Sequence, residues 1–152
     1  TVCGYSPRMR LDLSVSMLTM QALTNGKITV FGGKQTRPNI HMNDMIGVSL
    51  HFLKLGEKVT GIYNAGFENI SIMDIAEKVT AFIPAQIVVT ESNDPRSYRL
   101  NSDKLLSTGF KNKMTVNDAI KELVDLFKRG ILSNDEKYYN IKVMKGIQKL
   151  ES

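Results

Sequence analysis

The chain has no tryptophan, one cysteine, two histidines and four prolines among 152 residues. A single cysteine, Cys3, excludes an internal disulfide and a cysteine-built metal site. The histidines, His41 and His51, lie too far apart for ligand spacing, so no metal is expected. No apolar run approaches the length that crosses a bilayer, and nothing present reads as a signal peptide. A membrane partner is therefore not expected. Gly26, Gly32 and Gly33 do not fall into the G-x-G-x-x-G phosphate fingerprint. There is no Walker A segment and no Gly-x-Ser-x-Gly elbow. The one Tyr-x-x-x-Lys pair, Tyr138 and Lys142, sits in the C-terminal tail and reads as a solvated face. No catalytic residue is assigned, and the isolated chain is expected to hold no cofactor.

What is present is ordinary globular material, 42% hydrophobic and 23% charged, enough for one domain with a core. Lys and Arg outnumber Asp and Glu by 20 to 15, a net charge of +5 that favours anionic partners. The cations are dispersed, so no nucleic-acid stripe is expected. A lone cysteine fits a reducing cytoplasm. The opening residues, Thr1-Val2-Cys3-Gly4, read as a strand end without an initiator Met. On that ground the chain is expected to be a piece of a longer protein.

Periodicity predicts strand and helix in alternation, an α/β pattern. After the strand end and the loop Tyr5 to Arg10, a helix is expected over 11–23, stopped by Asn25-Gly26. Strands are expected at 28–31, in the extended piece 37–41, at 59–65 and at 87–90. A helix over 44–55, capped by Asn43 or Asp44, is apolar nearly all round and expected to be well buried. Ser71 caps a helix over 72–83, Ser102 a short one over 103–107, and Thr115 a strong one over 116–128. Residues 1–130 are expected to form one lobe, and 131–152 a basic tail with weak helical periodicity.

The stretch Gly32 to Asp44 concentrates special residues: a glycine turn, Arg37, Pro38, His41 and Asp44. Arg37 on a rigid extended segment suits a phosphate or carboxylate, and a plain surface charge is the competing reading. His41 reads as a histidine bonded to backbone that fixes the loop, and Asp44 as a helix starter. Arg96 and Arg99 follow a proline-anchored turn and could reach one anion together. Arg8 and Arg10 flank the loop past the first strand, the edge where open α/β sheets bind ligands. Three arginine groups on loops point to an anion pocket.

Six segments in order carry a resemblance. Thr1 to Pro7 is similar to a Thr-Val-Tyr-Gly-Pro strand end, Ile28 to Gly33 to an Ile-x-Val-Tyr-Gly-x-Gly strand, and Gln35 to Asp44 to a Gln-x-Arg-x-Phe-Ile-His-Val-x-Asp segment. Ile62 to Gly66, Ser71 to Lys78 and Asp94 to Lys104 match three later segments. Together they resemble the C-terminal, substrate-binding half of extended short-chain dehydrogenases/reductases, and more narrowly the NAD-dependent nucleotide-sugar epimerases and dehydratases. The resemblance implies the C-terminal part of an extended Rossmann-type, NAD(P)-binding fold with a small substrate-binding lobe. It implies a nucleotide sugar as ligand, with Arg37 and Arg96 clasping the diphosphate. Tyr5, Arg8 and Arg10 would border the sugar and nucleotide, and Arg99 would be an extra contact. It implies NAD or NADP in the full-length parent. The glycine-rich turn, the Tyr-x-x-x-Lys and its Ser/Thr partner belong to a half not present here. Cys3 and Tyr5 replace a tyrosine and a proline of that pattern. Asn39 replaces an aromatic residue, which is expected to loosen the packing under the loop. A stand-alone binding module, or self-association through an exposed half-sheet, is the alternative expectation.

Overall fold

The computed structural model describes residues 1–92 and 96–148. Two small sheets carry the chain. In the first, β1 (Val2–Cys3) pairs parallel with β3 (Thr36–His41), and β3 pairs antiparallel with β4 (Glu68–Ser71). In the second, β2 (Lys27–Phe31) pairs parallel with β5 (Gln86–Thr90), Lys27 against Gln86 through Phe31 against Thr90. Parallel pairs need crossovers, and helices supply them. The helices are α1 (Ser14–Asn25), α2 (Met42–Leu55), α3 (Ile72–Thr80), α4 (Asp103–Leu106), α5 (Val116–Lys128) and α6 (Asn140–Gln148).

The main core lies between α1, α3, α5 and β2. Val15, Leu18, Ile28, Val30, Ile75, Val79 and Ile120 are fully buried there. A second cluster, Met9, Leu11, Met20, Leu123 and Leu132, sits under the loop that follows β1. A third, Ile40, Val48, Leu105 and Phe110, lies between β3, α2 and α4.

Local signals set most helix ends. Ser71 and Thr115 form full capping boxes with Asp74 and Asp118. Gly26 closes α1 at φ 61°, a backbone conformation that side chains disfavour. Several expectations need correction. The helix of the 44–55 stretch starts at Met42, and His41 is its cap: Nδ1 accepts from the Asn43 amide at 3.1 Å. Asp44 instead reaches across the chain. Its carboxylate accepts from the amides of Lys113 (3.0 Å) and Met114 (2.9 Å), fixing the approach to α5.

The second correction concerns burial. Only Asp44 and Val48 of α2 are buried, while Ile46, Leu50 and Leu53 are exposed, Leu53 to 78%. They recur four and three positions apart and so form one outward apolar stripe. The third concerns residues 59–65, which form no strand. Gly61 turns the backbone at φ 101°, and Ile62 is 88% exposed. The edge of β3 is taken instead by Glu68–Ser71, with Thr36 opposite Ser71 and Asn39 opposite Glu68.

Asn39 does not loosen the loop. It is buried, and its Nδ2 donates to the carbonyls of Arg37 (2.9 Å) and Glu68 (3.2 Å). Cys3 is buried as well, its Sγ 3.4 Å from the Ile40 carbonyl. Burial, with the Glu68 charge adding to it, pushes the thiol up to about 12.

Asp44→Ala leaves two amides without their charged acceptor and should destabilise the fold by about 2–3 kcal/mol in urea denaturation. Ser71→Ala removes one exposed cap and should cost about 1 kcal/mol. Equal losses for the two variants would contradict the tethering role of Asp44.

Candidate functional site

The parallel pairing of β1 with β3 sends the chain after Cys3 and the chain before Thr36 to neighbouring parts of the surface. Gly4 makes the turn. Its φ is 90°, and a Cβ there would stand 2.7 Å from His41 Nε2. No larger residue fits so close to the imidazole. Because His41 Nδ1 is an acceptor, the neutral ring carries its proton on Nε2. That atom faces Glu122 Oε2 at 3.4 Å, without the alignment of a hydrogen bond. The same carboxylate oxygen accepts from the Tyr5 amide at 2.8 Å. Glu122 of α5 thus ties the start of the loop to the helix behind it.

Beyond this tether lies a cleft of about 590 Å³. It holds Arg10, Arg37 and Arg96 together, with Leu13, Phe31, Gln35 and Ile72 on its walls. Its volume falls within the range of small-molecule sites. Arg37 projects from β3. Its Nη1 donates to the Thr36 carbonyl at 3.1 Å and to the carbonyl of Arg96. Its guanidinium lies 5.4 Å from the Tyr98 ring centroid, in range of a cation–π contact. Segment 96–98 is laid along the start of β3: Ser97 Oγ accepts from the Thr36 amide at 3.0 Å, and the Tyr98 amide donates to the Thr36 carbonyl at 3.3 Å. Backbone bonding of this kind brings two arginines about sixty positions apart to one place.

Arg10 reaches the cleft already paired. Its Nε and Nη2 donate to the two carboxylate oxygens of Asp12 at 3.0 and 3.1 Å. Burial raises the Asp12 carboxyl, but the hydrogen bonds and charge of Arg10 outweigh it, with the Asn140 amide adding to them. The group therefore lies below its ordinary value. A second cavity of about 400 Å³ adjoins and shares Thr1, Arg10 and Leu13. Arg8 lines it together with Gly4, Ser6 and Met42. Arg8 also bonds the Met9 carbonyl (3.1 Å) and Asn140 Oδ1 (3.1 Å).

The structure does not bring every candidate together. Arg99 lines a different cleft, with Asn69, Asn101 and Ser102, and its Nη2 is 3.4 Å from the Asn69 carbonyl. Tyr5 packs against the cluster of Met9 and Leu11. His41 and Asp44 hold backbone. Asp94 and Pro95, which the turn before Arg96 was expected to use, lie outside the described residues. Two contributors carried no signal of their own. Glu122 looks like any acidic residue on a solvated helix face, and its partner Tyr5 is 117 positions away. The tail also reaches the site, through Asn140, Ile141 and Met144. Among the described residues no cluster of His, Cys, Asp and Glu could hold a metal, and no helix is long and apolar enough to cross a membrane.

This architecture is the C-terminal half of the Rossmann-type fold of NAD-dependent epimerases and dehydratases, as the six sequence segments implied. No protein-family model matches the chain. Among solved structures it is similar to UDP-glucuronic acid 4-epimerase from Bacillus cereus, in complex with UDP-glucuronic acid and NAD. The TM-score is 0.70 at 25% identity, over 85% of this chain and 43% of that one. It is similar in fold to UDP-N-acetylglucosamine 4-epimerase from Bacillus cereus (TM-score 0.71, 19% identity, 91% of this chain and 46% of that one). It is likewise similar to dTDP-glucose 4,6-dehydratase from Bacillus anthracis in complex with NAD (TM-score 0.69, 18% identity, 93% and 46%). The chain therefore spans less than half the length of these proteins.

Asp12 has a folded value below its unfolded one, so its bonds to Arg10 and Asn140 add stability above the unfolded value of about 3.9. That stability is lost as the pH falls through the folded value. An NMR titration should place the Asp12 midpoint below about 3.9, with the Asn140 amide moving in step. An ordinary midpoint would show that Arg10 does not hold the carboxylate.

Proposed function

We propose that the chain is the substrate-binding portion of an NAD(P)-dependent nucleotide-sugar epimerase or dehydratase, and that the arginine cleft holds the diphosphate. The observation that carries this reading is the meeting of Arg10, Arg37 and Arg96 in one small-molecule-sized cleft. Arginine forks suit phosphate oxygens, and a rigid strand holds Arg37 ready without further ordering cost. The adjoining cavity bounded by Arg8, Gly4 and Ser6 would take the sugar. Two of the neighbours cited were solved with NAD, and one of these also with UDP-glucuronic acid, which supports the ligand class. In this reading the protein works in the cytoplasm, which agrees with its lone, reduced cysteine. Arg99 contributes to binding at most indirectly, from its separate cleft.

The chemistry itself would come from elsewhere. Hydride transfer needs a cofactor pocket and an acid/base tyrosine activated by a lysine. Tyr138 and Lys142 do not serve: Lys142 pairs with Glu136 at 2.8 Å and lies 5.1 Å from the Tyr139 ring centroid. NAD or NADP therefore belongs to the longer parent in this reading. The outward stripe of Ile46, Leu50 and Leu53 on α2 is the face on which a second lobe would pack. Left uncovered, the same stripe favours self-association of the isolated chain.

Two measurements test the reading. Calorimetric titration with UDP- and GDP-sugars should show binding, and Arg37→Ala should weaken it by about ten- to a hundredfold, the scale of a lost charge-assisted pair. No heat at millimolar ligand, or an unchanged affinity in the variant, would refute the diphosphate clamp. With NAD and a nucleotide sugar added, the 152-residue chain alone should show no turnover. Turnover would refute the division of labour.

A further inference from the structure

The tail helix α6 sits on the cleft rather than apart from it. Asn140, Ile141 and Met144 line the same space as Arg10, Arg37 and Arg96. Ile141 is 66% exposed and Met144 63%. They give a cationic cleft an exposed apolar edge. Phe31, also exposed, lines the cleft with them.

The helix is fixed there by its first residue, Asn140, and by the two tyrosines before it. The Leu11 amide donates to the Tyr138 carbonyl at 2.9 Å, and the Asn140 amide to Asp12 Oδ2 at 3.2 Å. Arg8 Nη2 donates to Asn140 Oδ1 at 3.1 Å. Tyr138 and Tyr139 pack on the cluster of Met9, Leu11 and Leu132. Asp12 thus holds a cleft cation on one oxygen pair and the start of α6 on the same carboxylate. The loop that delivers the cations also delivers the apolar wall.

We infer that α6 is a specificity element of this site. Arg10, Arg37 and Arg96 hold a diphosphate, and Ile141 and Met144 form the surface against which the heterocyclic base of a nucleoside diphosphate rests. A thioether and a branched aliphatic chain suit the face and edge of a planar ring, and the contact removes their exposed area from water. A ligand consisting of the phosphates alone satisfies the arginines and leaves the wall unused. This inference rests on the diphosphate clamp proposed above.

The test uses the whole 152-residue chain and two probes, inorganic pyrophosphate and UDP, titrated calorimetrically. UDP should bind more tightly than pyrophosphate. The double variant Ile141→Ala/Met144→Ala should lose roughly tenfold for UDP, the worth of some 50 Å² of apolar contact, and keep its pyrophosphate affinity. Both positions are exposed, so the thermal melt should not move. Hydrogen exchange of the α6 amides should slow with UDP and not with pyrophosphate. Unchanged UDP affinity in the double variant, or equal loss of both ligands, would overturn the role of α6 while leaving the clamp in place. If the unmodified chain binds neither probe, the clamp itself fails and the inference falls with it.

Discussion

The close approach of Gly4 to His41 is the constraint on which the binding surface depends. Parallel pairing sets Cys3 against His41, and the next residue must then turn away past the imidazole. Only a residue without a Cβ passes at that distance and that φ. His41 is held from the other side as the cap of α2, so it cannot yield. The loop carrying Arg8 and Arg10 therefore leaves β1 in one direction. Glu122 then secures its first amide from α5. Three elements far apart in sequence agree on one exit path. The cationic loop takes its exit direction from that agreement, and its own bonds to Asp12 and Asn140 hold it from there.

What could be read from the residues alone follows the range of each interaction. Ser71 and Thr115 cap helices through bonds that span three positions, and both capping boxes form as their spacing suggests. Gly26 ends α1 for an equally local reason. The misreadings are mostly long-range. Residues 59–65 carry strand-like composition, yet β3 has one open edge there and Glu68–Ser71 occupies it. Asp44 has the chemistry of a cap, but His41 stands one position before the helix and takes that role, leaving the carboxylate for Lys113 and Met114. Apolar positions all round α2 say that a helix has faces to cover and nothing about what covers them. For the site, Arg37 stood out because Pro38 and the glycine turn mark a rigid segment. Its meeting with Arg96 depends on Ser97 and Tyr98 bonding to Thr36, and no local pattern encodes that.

Charge and packing divide the labour in the cleft. Arg37 is held by backbone carbonyls and an aromatic face, which fix its place. Arg10 differs, because Asp12 neutralises it bidentately. An incoming phosphate would have to compete with that carboxylate at Arg10. Arg37 is thereby the more rigidly placed of the two, and Arg10 the more adjustable one.

The same Asp12 links that adjustment to the tail. A cation and a backbone amide on one carboxylate share its negative charge, so each bond is weaker while the other is in place. If a bound anion draws Arg10 away, Asp12 keeps the Asn140 amide as its remaining donor, and the start of α6 takes a larger part of the negative charge. Coupling of this kind runs through one side chain and two contacts and needs no movement of the core. It makes the order of Arg10, Asp12 and Asn140 around the cleft a single electrostatic unit, so a change at any one of the three alters both the cationic wall and the apolar one.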